Sequence, residues 1–101
     1  MEEVLKDVVD RIVKTVNPDK IILFGSRSKG KAGFNSDYDL LVLKSGINNR
    51  RALAQQLYKN LVDVPAAVDI LVDTPEKIER YQTSQGLVYA EAAKGLVVYE
   101  R

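Results

Sequence analysis

Apolar residues recur at helical spacing over residues 2–16. Val4, Leu5, Val8, Val9, Ile12, Val13 and Val16 make one face, so the stretch predicts an amphipathic helix. Asn17-Pro18 stops it, because a residue before proline is pushed out of the helical region. The periodicity then disappears. KIILF, residues 20–24, is too continuously apolar for a strand with one wet face and predicts a strand buried on both. Gly25 ends it. Residues 26–36 are polar and glycine-rich, and they predict a short turn or single helical turn followed by a loop through Gly33 and Asn35. DLLVL, residues 39–43, predicts a second buried strand, and Ser45-Gly46 turns the chain. Residues 48–62 predict a helix with Asn48 or Asn49 as N-cap and Leu53, Leu57 and Leu61 as its inner stripe. AVDILV, residues 67–72, predicts the third strand. Thr74-Pro75 places an N-cap before a proline at the first helical position, so a short helix starts there. Residues 84–94 again fit a helix, closed by Gly95 as a C′ glycine. Leu96–Tyr99 fits a short last strand. Alternating helices and strands over 101 residues predict a single α/β domain spanning 1–101.

Composition narrows the chemistry. Lys and Arg number 15 against 14 Asp and Glu, a net charge of +1, which argues against a dedicated nucleic-acid binder. There is no Cys and no His. Thiolate and imidazole metal sites and His-based general bases are therefore excluded. Any metal sits on oxygen ligands, which favours Mg²⁺ or Mn²⁺. No apolar run approaches a membrane span, and the acidic, amphipathic start MEEVLKDVV is unlike a signal peptide. The expected location is cytoplasmic.

GSRSKGKA, residues 25–32, almost matches the phosphate-binding P-loop, with Gly25, Gly30 and Lys31 in place. A P-loop needs a Ser or Thr after the Lys and then a long helix, whose N-terminus holds the phosphates. Here Ala32 has no hydroxyl, and Gly33, Phe34 and Asn35 follow at once. The next strand leaves no room for the helix.

A second reading uses more residues. Asp37 and Asp39 stand two apart at the start of a strand, where side chains share a face. Asp69 sits inside an apolar run. A lone ionised carboxylate there costs several kcal/mol unless it is paired or binds a cation. If its strand lies beside that of Asp39, the two come within about 5 Å on one face. Divalent ions relieve the repulsion among three such carboxylates, as in two-metal sites. Gly25 lets backbone approach a phosphate closely, Ser26 can donate to a phosphate oxygen, and Arg27 can neutralise charge. Taken singly, these features have plainer readings: a strand-end turn at Gly25-Ser26, solvated carboxylates at Asp37 and Asp39, and a buried pair of Asp69 with Lys or Arg. Lys29 and Lys31 fit a solvated basic loop, and Arg50-Arg51 a solvent-facing helix start. Tyr38 alternates to the face opposite the Asp pair and fits packing, and Tyr81, Tyr89 and Tyr99 fit core or interface positions.

Together, LFGSRSKGKAGFNSDYDLLV and AAVDILV resemble the hG[GS]…Dh[DE]h…D pattern of the polymerase-beta-like nucleotidyltransferase superfamily, and most closely its minimal nucleotidyltransferases. The closing YAEAAKGLVVYE is also similar to the family's usual end. The resemblance implies a mixed β-sheet flanked by helices, the nucleotidyltransferase fold, with the site at one edge. It implies Mg²⁺ held by Asp37, Asp39 and Asp69, triphosphate contacts from Gly25, Ser26 and Arg27, and ATP as donor. It further implies an antitoxin that adenylylates a tyrosine of a HEPN-domain toxin. Two alternatives stay open. One is a non-catalytic module that masks its partner. The other is a transferase for small molecules such as aminoglycosides, for which a homodimer would have to build the acceptor pocket.

Overall fold

The computed structural model describes residues 2–25, 37–81, 90, 92 and 94–101. Its elements are α1 (Glu3–Val16), β1 (Lys20–Phe24), β2 (Tyr38–Leu43), α2 (Arg50–Asn60), β3 (Val68–Asp73), α3 (Pro75–Tyr81) and β4 (Leu96–Glu100). The four strands form one mixed sheet in the order β3-β2-β1-β4. β1 runs antiparallel to β2 and β4, whereas β2 and β3 are parallel. β1 and β2 are therefore central, as their continuous apolar runs predict, and β3 and β4 form the edges.

Period-2 alternation divides the sheet's side chains between two cores. Ile21, Leu23, Leu40, Val42 and Val72 point to the larger one, covered by Leu5, Val8, Val9, Ile12 and Val16 of α1 and by Leu57 of α2. Tyr38 is buried there too, on the face predicted for it. Ile22, Leu41 and Leu43 point the other way, to a smaller core with Ile78 of α3 and Ala92. This second face also carries Asp39 and Asp69, by strand alternation.

The predicted stops and caps are mostly in place. Asn17 ends α1 in the left-handed conformation (φ 48°), with its N–H donating to the Val13 carbonyl at 2.9 Å. Asn49, not Asn48, caps α2, its side chain accepting from the Ala52 N–H at 3.0 Å. Thr74 caps α3 through the Lys77 N–H. The predicted helix over 84–94 falls largely outside the described residues. Gly95 has a different role from the one predicted. Its φ is not in the left-handed region, and a Cβ on it would stand 2.3 Å from the Leu23 carbonyl oxygen. It is a glycine because backbone passes backbone at the start of β4.

Candidate active site

β2 and β3 begin side by side, and their register pairs Asp39 directly with Asp69. Parallel neighbours lie about 4.8 Å apart, so the two carboxylates leave adjacent strands on one face. Asp37 precedes β2 by one residue, and its proximity acts on the Asp69 carboxyl. The pairing of Asp39 with Asp69 expected from adjacent strands is thus present. Asp69 is not the buried carboxylate its apolar flanks predicted. It is exposed, because β3 is an edge strand whose first half meets solvent.

The cluster is electrostatically frustrated. Partial burial, followed by the charges of Asp69 and then Asp37, holds the Asp39 carboxyl above the usual carboxylate range. Asp69 moves the same way through desolvation, then its hydrogen bond with Asp37, then the Asp37 charge. Its exposure leaves that effect open to screening by water.

Gly25 completes the inner wall. It has φ +75°, and a Cβ there would fall 2.3 Å from Asp39 Oδ2. The glycine therefore makes room for a site carboxylate, a role added to the close phosphate approach read from the sequence. Ser26 and Arg27, with Lys29 and Lys31, lie outside the described residues.

The donor set suits a hard divalent cation. All donors are oxygen, two of the carboxyls resist ionisation, and a cation is what would relieve them. Among the described residues no group of three or more acidic side chains stands close enough together to hold a metal ion as it is.

The buried acid is elsewhere. Asp73, at the far end of β3, is 1% exposed. It accepts from Arg50 Nη1 at 2.9 Å, stands 3.5 Å from Lys77 Nζ, and caps the Thr74 N–H at 2.9 Å. The pairing considered for Asp69 is realised here, and Arg50 is correspondingly not a plain solvent-facing residue. The signal was available: Asp73 directly precedes Thr74-Pro75, and Lys77 follows at i+4. Sequence reasoning also missed Arg11, which binds Asp7, Asp63 and the Asn60 carbonyl and ties α1 to the end of α2. A cavity of about 460 Å³ floored by Ile22, Leu43 and Ile78 lies at the Asp73 end of the sheet, away from the triad. Its rim charges Asp19–Arg101 and Lys20–Glu100 pair with one another.

The strand register thus brings acidic oxygen ligands together at the start of β2 and β3, backed by a turn glycine. The chain belongs to the polymerase beta nucleotidyltransferase family, whose model matches residues 6–101. Among solved structures it is similar to a toxin–antitoxin crystallised with AMP-PNP. That match has TM-score 0.53 and 23% identity, over 95% of this chain and 73% of the other, a likeness of fold. A mutant of the toxin–antitoxin MntA-HpeT matches with TM-score 0.49 and 25% identity, over 77% and 66%. No curated protein matches the chain. No helix among the described residues is long and apolar enough to cross a membrane.

Proposed function

We propose that this nucleotidyltransferase moves AMP from ATP to a hydroxyl, and that the acceptor is a tyrosine of a HEPN-type toxin that it silences. The single observation carrying the transfer reading is the register that sets Asp39 against Asp69 with Asp37 beside them. Family membership supports the reaction class. One fold neighbour, a toxin–antitoxin crystallised with AMP-PNP, supports the setting. The cytoplasm, where ATP and Mg²⁺ are abundant, is the proposed location.

Asp37, Asp39 and Asp69 would hold Mg²⁺, or Mn²⁺ in its place. The ion supplies charge neutralisation for the triphosphate and for the departing pyrophosphate. Asp69, exposed on the edge strand, takes the proton from the acceptor hydroxyl. The acceptor oxygen forms a bond to the α-phosphorus, the α–β phosphoanhydride bond breaks, and pyrophosphate leaves. Gly25 keeps the space beside Asp39 open. Ser26 and Arg27 are proposed to hold the phosphates.

Co-expression with the candidate toxin, followed by intact-mass measurement, tests this. The toxin is expected to gain adenylyl mass with the native chain and none with Asp37→Asn. An unmodified toxin that is still neutralised by a chain lacking all three carboxylates would replace transfer by masking.

A further inference from the structure

We infer that Tyr58 is a positioning residue for Asp69, acting through the backbone of the edge strand; this rests on the metal-site reading above. Residues of β3 turn their backbone groups alternately toward β2 and away from it. Ala67 and Asp73 point inward, since their carbonyls accept from Tyr38 and Lys44. Ile70 therefore points outward, on the free edge of the sheet. The Tyr58 hydroxyl meets it there. It accepts from the Ile70 N–H at 2.8 Å and lies 3.5 Å from the Ile70 carbonyl oxygen.

The Ile70 N–H belongs to the peptide unit that begins at the Asp69 carbonyl. That unit is planar and its carbonyl, by the same alternation, faces β2, so the Tyr58 hydroxyl holds from the outer side a peptide that the ladder holds from the inner one, and the two together restrict the ψ angle of Asp69 and where its side chain leaves the strand. The other end of the clamp is firm, because Leu57, next to Tyr58 on α2, is fully buried. Tyr58 itself is 43% exposed. Water can take over the Ile70 groups if the hydroxyl is lost, so the clamp contributes little to stability. It also occupies backbone groups that would otherwise recruit a further strand beside Asp69.

Tyr58→Phe removes only the hydroxyl. The test combines amide exchange at Ile70, thermal unfolding, and Mn²⁺ titration of the whole chain by electron paramagnetic resonance. The expected result is faster exchange at Ile70, a melting temperature within a few degrees of the parent, and Mn²⁺ affinity weakened about tenfold, as for residues that orient metal ligands. Leu53→Ala, on the same helix, is expected to lower the melting temperature without moving Mn²⁺ affinity. Unchanged Ile70 exchange, or faster exchange with unchanged Mn²⁺ affinity, overturns the inference. Asp69→Asn separates the two levels. If it weakens Mn²⁺ binding and Tyr58→Phe does not, only the positioning role falls. If neither does, the metal-site reading falls with it.

Discussion

Asp39 works against the fold that displays it. Its folded-state pKa is raised above the ordinary value of 3.8 by burial and by its acidic neighbours. The ionised form is therefore disfavoured in the native state. That cost is absent below the ordinary carboxylate pKa and fully present above the raised native one. Asp39→Asn is expected to raise the melting temperature of the metal-free protein at neutral pH by about 2–4 °C, allowing for solvent screening. The gain should vanish as pH falls below the ordinary carboxylate range, and shrink when Mg²⁺ is added. A lower melting temperature in the variant at neutral pH without metal would show that the carboxylates do not repel. Type and spacing in the sequence pointed to Asp39 beside Asp69, which the strand register shows. What spacing did not carry was exposure. Asp69 and Asp73 both flank ILV, and only the edge position of β3 and the approach of Arg50 make one wet and the other buried.

Strands and helices were more readily foreseen than the contacts between them. The seven described elements are close to where the sequence puts them, the long helices by their 3.6 period, the short one by its cap and proline, and the strands by continuous apolar runs. Their edges shifted by one or two residues: β2 gained Tyr38, β3 gained Asp73, and α2 is shorter than 48–62. The meaning of Gly95 was less accessible, since a glycine after a helix looks the same whether it turns left-handed or makes way for a strand. Here it makes way. Gly95→Ala would set a methyl against the Leu23 carbonyl, which is backbone in a central strand and cannot yield cheaply. The expected loss is about 2 kcal/mol or more in denaturant unfolding, within the range for overpacking. A loss below about 0.5 kcal/mol would mean that β4 can move away from β1.

The assembled chain sets Asp39 beside Asp69 at the start of its parallel strand pair, with Asp69 exposed. The mixed α/β architecture followed from the alternation of elements, and the antiparallel insertion of β4 beside β1 did not, because one short apolar segment does not say which edge it joins. The acceptor is beyond sequence reasoning for a related reason: it is recognised by surface, and only the donor chemistry is written in short motifs.

The proposed reaction transfers an adenylyl group rather than a phosphoryl group. It is tested most directly by presenting the protein, Mg²⁺ and its candidate partner with ATP labelled at the α-phosphate and, in parallel, at the γ-phosphate. The account predicts label on the partner from the α position only, lost in Asp69→Asn. Label from the γ position, or α label that survives Asp69→Asn, would contradict it.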